Sequence, residues 1–286
     1  MPSSLVFGAS GAIGQFLLPK LRARDEHVVA ASRQPPVDAA DAGIEWLRAD
    51  LFATPPPILK ADSDVAAIYS LGPLDAFAKW FAQERPGGAS LRRVIAISSM
   101  SAQSKQDSSD PAERALSTRL LEAEQTLFET ATARNIACTI FRPTLIYGSG
   151  RDRSLAPLAR FARRWRVLPI PHAAHGLRQP VHADDLAAAC IAARDNAATF
   201  GRTYELGGGE RLRFDAMLTR IAADPHHAAL RLPVPMTLLR ALEWIARGRA
   251  GALSRLQRHL LADNAAATRD FAYAPRAFDA RAVLPQ

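Results

Sequence analysis

Along the first half of the chain, short apolar runs recur at intervals filled by longer stretches of mixed polarity. The runs are Leu5–Phe7, Val28–Ala31, Ile44–Leu47, Val65–Leu71, Arg93–Ser98 and Ala137–Phe141. Strands alternating with helices of that length predict βαβ units and a parallel sheet. The handedness of such crossovers puts helices on both faces, so a doubly wound α/β sheet is expected. Asp110-Pro111-Ala112-Glu113 combines an N-cap acid, a first-turn proline and a capping-box glutamate, and predicts a helix to about Arg134. Beyond Gly148 the pattern loosens into helices punctuated by Pro157, Pro169, Pro171, Pro180, Pro233 and Pro235, with one further strand at Thr203–Leu206. The expected organisation is a core over 1–148 with parts of 175–210. A smaller, mostly helical C-terminal lobe over 149–286 would close on the carboxyl edge of the sheet, where such folds bind ligands.

The first strand runs directly into Gly8-Ala9-Ser10-Gly11-Ala12-Ile13-Gly14, a strand, a GxxGxxG turn and a helix expected to open at Ala12. Glycines let the backbone turn sharply and approach a pyrophosphate, whose charge then meets the helix N-terminus. At the first strand-to-helix junction of a βαβ chain, the triplet predicts a Rossmann-type dinucleotide site. The second strand ends in Ser32-Arg33, about where an NAD-binding chain places an acid on the ribose hydroxyls. No acid is there. A serine and an arginine suit a 2′-phosphate, so NADP(H) is favoured over NAD(H); a solvated loop arginine is the plainer alternative.

Composition narrows the class. With 286 residues, 48% hydrophobic and 22% charged, the chain can bury one large core, with or without a smaller lobe. No apolar run approaches the roughly 20 residues of a spanning helix, and a strand-like segment from residue 3 leaves no room for a signal peptide, so a cytoplasmic protein is expected. Cys138 and Cys190 form no metal-type or CxxC spacing and are expected as small buried hydrophobes, without a disulfide or a metal. Of the 36 basic residues behind the net charge of +8, only Lys20, Lys60, Lys79 and Lys105 are lysines. The charge points weakly to anionic ligands. Without interleaved aromatics, a helix-turn-helix or a zinc pattern, it does not point to nucleic acid.

Four later stretches extend the pattern: Ala49-Asp50-Leu51, Ile97-Ser98-Ser99-Met100-Ser101, Phe141-Arg142-Pro143-Thr144-Leu145-Ile146-Tyr147-Gly148 and Arg178-Gln179-Pro180-Val181-His182-Ala183-Asp184-Asp185-Leu186. With the glycine turn, the chain resembles the extended or atypical branch of the short-chain dehydrogenase/reductase superfamily, the NAD-dependent epimerase/dehydratase family. The resemblance runs from residue 3 to about 210 and reappears at Phe271–Arg276. It implies that Gly8, Ser10, Gly11, Ala12, Ile13 and Gly14 hold the cofactor, Asp50 and Leu51 border the adenine, and Leu71 and Gly72 line the groove. It also implies that Pro143 shapes the nicotinamide pocket, that Ser99 matches the catalytic Ser/Thr, and that Arg178 meets the phosphates of a small anionic substrate. Read without the family, Ser98 and Ser99 are hydroxyls that cap a strand end. His182 is expected to be structural, and Asp184 with Asp185 to cap the next helix.

The chain departs from this family at the chemistry. Hydride transfer there uses a tyrosine acid/base and a lysine four residues on. With the following glutamate registered on Glu124, Leu116 and Leu120 occupy those positions. Tyr69, Tyr147, Tyr204 and Tyr273 are followed at the fourth position by Pro73, Arg151, Gly208 and Ala277. Lys105 is the lysine nearest the expected site, either replacing the missing ammonium or solvated in its loop. Leu145 stands where sugar-nucleotide enzymes carry a substrate-binding asparagine. Residues 151–166 are basic and amphipathic. They suit an anionic substrate tail, an acidic partner or a peripheral membrane contact, or else a solvated arginine face over a packed Leu155/Leu158/Phe161/Trp165 stripe. Two functions follow: an NADP(H)-dependent oxidoreductase or epimerase-like enzyme acting on a small or nucleotide-linked carbonyl, or a non-catalytic NADPH-binding accessory protein resembling the accessory subunits of respiratory complex I.

Overall fold

The computed structural model describes residues 3–36, 43–53, 64–84, 86, 88–152, 154–171, 174–225, 228–235 and 256–284. Among them β1 (Ser3–Phe7), β2 (His27–Ser32), β3 (Ile44–Arg48), β4 (Val65–Ser70), β5 (Arg93–Ile97), β6 (Ala137–Pro143) and an edge strand Arg202–Leu206 form one sheet. All neighbours pair in parallel, in the order edge strand-β6-β5-β4-β1-β2-β3. Chain order reverses between β4 and β1, which opens a crevice at their carboxyl ends.

Both faces are covered, as in a Rossmann-type sheet. Helices α1 (Gly14–Arg22), α2 (Leu74–Gln83), α3 (Ser101–Ser104), α4 (Pro111–Ala133), α5 (Leu155–Trp165), α6 (Ala183–Arg194), α7 (Phe214–Ala223) and α8 (Ala265–Phe271) follow in chain order. Alternation along β1 sends Val6 into a core with Leu17, Leu21, Leu186 and Cys190, from α1 and α6. Its neighbours Leu5 and Phe7 enter the opposite core with Phe77, Trp80, Phe81 and Leu127, from α2 and α4. Cys138 and Cys190 are buried free thiols. A third core joins α5 and α7 through Ala159, Ala162, Leu168, Met217 and Ile221.

Helix α4 begins as expected: Asp110 caps it by accepting the Ala112 N–H at 2.9 Å. The capping box does not close. The Glu113 carboxylate is buried and accepts from the Ser108 hydroxyl at 2.6 Å, with Lys105 at 3.3 Å, while Ser108 Oγ takes the Asp110 N–H. Lys105 is thus neither a free ammonium nor simply solvated.

A single buried arginine ties the amino ends of the strands to α6. Arg93 donates Nε to the Arg194 carbonyl at 2.9 Å, and Nη2 to the Ala193 carbonyl at 2.9 Å and to the hydroxyls of Thr139 and Thr199 at 2.7 and 2.9 Å. Nη1 reaches the Ala137 carbonyl at 3.1 Å. These partners are all neutral, and the negative pole at the C-terminus of α6 adds a complementary field. Burial still pushes the Arg93 pKa down to about 10.

Candidate functional site

The glycine turn is built by close approach. Gly8 has φ +74°, and a Cβ on it would lie 3.0 Å from the backbone of Leu71 and Gly72. A Cβ on Gly11 would meet the Gly8 carbonyl oxygen at 2.9 Å, and one on Gly14 the Ala9 carbonyl oxygen at 2.1 Å. The side-chain-free surface is therefore required on both sides of the turn. Helix α1 opens at Gly14, two residues later than expected, with Ile13 as its N-cap. The turn before it leaves the N–H groups of Ala12 and Ile13 without an acceptor among the described residues. Orphan donors at a helix N-terminus suit a phosphate.

In front of this turn lies a cleft of about 1020 Å³ that brings together Gly8, Ser10, Gly11, Ser32, Arg33, Asp50, Leu51, Leu71 and Gly72. Ala12, Ile13 and Gly14 stand behind its lining, with Ile13 and Gly14 buried. Ser10 and Ser32 share a hydrogen bond of 2.6 Å across the cleft floor. Arg33 is exposed at the end of β2. Arg48 also lines the cleft, because β2 and β3 pair with Ser32 opposite Arg48. Sequence reading missed it: only the strand register brings the ends of β2 and β3 side by side. It also missed Arg151, whose guanidinium donates to the Ser10 carbonyl from 141 residues away.

A second cavity of about 810 Å³ opens at the amino ends of the strands, lined in part by Arg92, Arg93 and Gly201. There Arg93 already uses its N–H groups on the contacts above.

The strand order places the other candidates in a row beyond the cleft. Ser99 follows β5 and Pro143 ends β6; the Met100 N–H donates to the Pro143 carbonyl at 3.0 Å. At roughly 5 Å per strand, Pro143 stands roughly 15 Å from the glycine turn. The two serines differ. Ser98 donates to the buried Glu124 carboxylate, which pairs with Arg142. Ser99 Oγ accepts the Ser101 N–H at 3.1 Å and donates to nothing among the described residues. Arg178 is buried, donating to the Arg258 carbonyl at 2.6 Å with its guanidinium 5.2 Å from the Phe214 ring.

None of the four tyrosines lines the cleft. Tyr147 lies beside the Ala277 carbonyl and accepts from the Asp279 N–H, Tyr204 donates to Asp270 at 2.8 Å, and Tyr273 donates to the Gly207 carbonyl at 3.1 Å. Tyr69 is wholly buried in the core. Burial raises all four phenol pKa values, that of Tyr204 to about 12 with help from Asp270. Leu116 and Leu120 are half-buried on α4, Leu120 against the core beneath.

Two local expectations are corrected. His182 itself caps α6, its Nδ1 accepting the Asp184 N–H at 3.1 Å, and burial lowers its pKa. Asp184 and Asp185 instead pair with Lys20 at 2.9 Å and Arg276 at 2.6 and 2.8 Å. They lie in the first turn of α6, where negative charge is favoured without capping. On α5 only the first half of the expected Leu155/Leu158/Phe161/Trp165 stripe packs: Leu155 and Leu158 lie on the small core. The buried face is Leu155, Ala156, Ala159 and Ala162, and Phe161 and Trp165 point outward. The alanines let the helix lie close to the strand Val167–Pro171 that follows it, where rings would hold it off. Arg153 lies outside the described residues.

No family model matches the chain. A curated relative, the mitochondrial NADH dehydrogenase [ubiquinone] 1 alpha subcomplex subunit 9 of Arabidopsis thaliana, is 36% identical over 121 residues; the match spans 41% of this chain and 30% of the relative. Among solved structures, an epimerase from Methanothermobacter thermautotrophicus superposes with a TM-score of 0.73 at 15% identity, covering 99% of this chain and 90% of that one. A UDP-glucuronic acid 4-epimerase from Bacillus cereus, in complex with NAD, gives 0.72 at 14% identity over 98% and 96%. A dTDP-glucose 4,6-dehydratase from Bacillus anthracis, also with NAD, gives 0.68 at 10% identity over 97% and 92%. At these identities the likeness carries the fold, which is that of NAD-dependent epimerases and dehydratases. Among the described residues no helix is long and apolar enough to cross a membrane.

Proposed function

We propose that this is a cytoplasmic NADP(H)-binding protein, with the dinucleotide in the carboxyl-edge cleft. The observation that carries this reading is the glycine turn opening on two arginines, Arg33 and Arg48, where β2 and β3 end side by side. Ser10, Ala12 and Ile13 would meet the pyrophosphate through backbone N–H groups, across the close approach that Gly11 allows, with Arg151 as a cation from the small lobe. Asp50 and Leu51 would border the adenine; Leu71, Gly72 and Pro143 would line the path to the nicotinamide. Bound there, the cofactor supplies a nicotinamide able to exchange hydride.

The preference over NAD(H) is electrostatic. A 2′-phosphate brings about two negative charges to Ser32, Arg33 and Arg48, and each charge-assisted hydrogen bond contributes roughly 1.5–3 kcal/mol. NADPH is expected to bind about 10- to 100-fold tighter than NADH, and Arg33→Asp to reverse the order with little effect on folding. Titration of both cofactors against both proteins checks this; equal wild-type affinities would remove Arg33 from the adenosine pocket.

The site supports holding the cofactor better than turning it over by the tyrosine route, because the four phenols are buried and Lys105 is engaged by Glu113. That matches the accessory type of protein represented by the complex I relative. A second reading, carbonyl reduction or epimerase-like chemistry on a small anionic or nucleotide-linked substrate, is favoured by one observation: Ser99 keeps its hydroxyl proton at the strand end beside Pro143. In that reading Ser99 polarises the carbonyl and Arg178 binds the substrate's anionic group. Purified protein with NADPH and a panel of carbonyl substrates separates the two. Turnover that falls about 100-fold in Ser99→Ala establishes the second, whereas a bound cofactor left unoxidised establishes the first.

A further inference from the structure

Four of the six large apolar side chains exposed among the described residues gather on one side of the small lobe. Phe161 and Trp165, 42% and 61% exposed, lie one turn apart on α5 with ring centres 6.4 Å apart. Leu230 and Leu232, 72% and 49% exposed, lie two residues apart on the strand Leu230–Val234. The two pairs adjoin. The Leu230 N–H donates to the Arg166 carbonyl at 2.8 Å, and Leu230 stands in register with Val167, two residues from Trp165.

Around this patch stand Arg160, Arg163, Arg164, Arg166 and Arg231, all exposed, with the Arg164 guanidinium 5.1 Å from the Trp165 ring. Residues 155–171 and 228–235 contain five arginines and no aspartate or glutamate. The patch is therefore apolar at its centre and of a single charge at its rim, the pattern of a surface that docks.

We infer that this face seats the protein on an anionic lipid surface. The apolar side chains stand out from the fold, and a bilayer interface accepts protruding tips at headgroup depth. Tryptophan is enriched at that depth, and arginines flanking it meet lipid phosphates while their stems cover apolar surface. The five arginines supply the matching charge, and the two aromatic and two leucine side chains supply the buried area. This surface belongs to the small lobe and is separate from the dinucleotide cleft, so it does not rest on the cofactor reading.

Co-sedimentation of the full chain with phosphatidylcholine vesicles, with and without phosphatidylglycerol, tests it. Binding is expected only to the anionic vesicles and is expected to weaken as salt rises above about 0.1 M. Phe161→Ser/Trp165→Ser should partition at least about tenfold less. Arg163→Glu/Arg164→Glu, confined to exposed positions, should abolish the salt-sensitive part with an unchanged far-UV circular dichroism spectrum. Equal binding to neutral and anionic vesicles, or undiminished binding by both variants, overturns the inference. A dimer in light scattering that the aromatic variant dissolves also overturns it, and assigns the face to a second copy.

Discussion

Arg93→Leu is expected to lower the unfolding free energy by about 3–5 kcal/mol and the melting midpoint by roughly 6–20 °C. The guanidinium holds the last carbonyls of α6, the start of β6 and two threonine hydroxyls in one buried cluster. Leucine fills part of the volume and takes a donor from each of those acceptors; the Ala193 carbonyl keeps the Thr199 hydroxyl, and each acceptor left bare costs about 1–3 kcal/mol if no water reaches it. Arg93→Lys keeps the charge but presents one ammonium in place of a planar fork, and should recover only part of the loss. Thermal and guanidinium denaturation measure both. A loss below about 1 kcal/mol for leucine would mean that water entering from the neighbouring cavity satisfies the cluster.

Gly14→Ala should weaken NADPH binding by about 100- to 10,000-fold while leaving most of the fold intact. The new Cβ would lie 2.1 Å from the Ala9 carbonyl oxygen, so the start of α1 must move away from β1. The donors of Ala12 and Ile13 move with it. Losing two charge-assisted hydrogen bonds at roughly 1.5–3 kcal/mol each gives that range. The apolar face of α1 still packs on α6 through Leu17 and Leu21, so circular dichroism should change little. Calorimetric titration decides it: wild-type affinity in the variant would show that the pyrophosphate does not rest on this helix.

Most of the sheet was legible in the chain. Each of the seven strands falls within two residues of its apolar run, because the inner strands, buried on both faces, read as continuous hydrophobic segments and the intervening helices leave little freedom in the bounds of the rest. The glycine turn was equally legible, since most of its requirement is local: Gly8 takes a positive φ, and Gly11 and Gly14 face the backbone of Gly8 and Ala9, which no Cβ could approach. The cap of α4 by Asp110 is also a contact between near neighbours. These are interactions whose partners lie within a few residues, so spacing alone encodes them.

What escaped such reading depends on partners far apart in sequence. Arg93 meets α6 about 100 residues on, Arg151 meets Ser10 across 141, and Arg48 joins Arg33 only through the pairing of β2 with β3. No local pattern distinguishes these arginines from the other arginines of the chain. The same holds on α5, where the helical period marks two candidate faces: Leu155, Ala156, Ala159 and Ala162 turn inward with Leu158 at the edge, while Phe161 and Trp165 face outward. Local spacing thus determined the elements and the turn that would hold a dinucleotide. Tertiary structure decided which charges surround that turn and which aromatic rings face water, because strand order and packing distance set which distant residues meet.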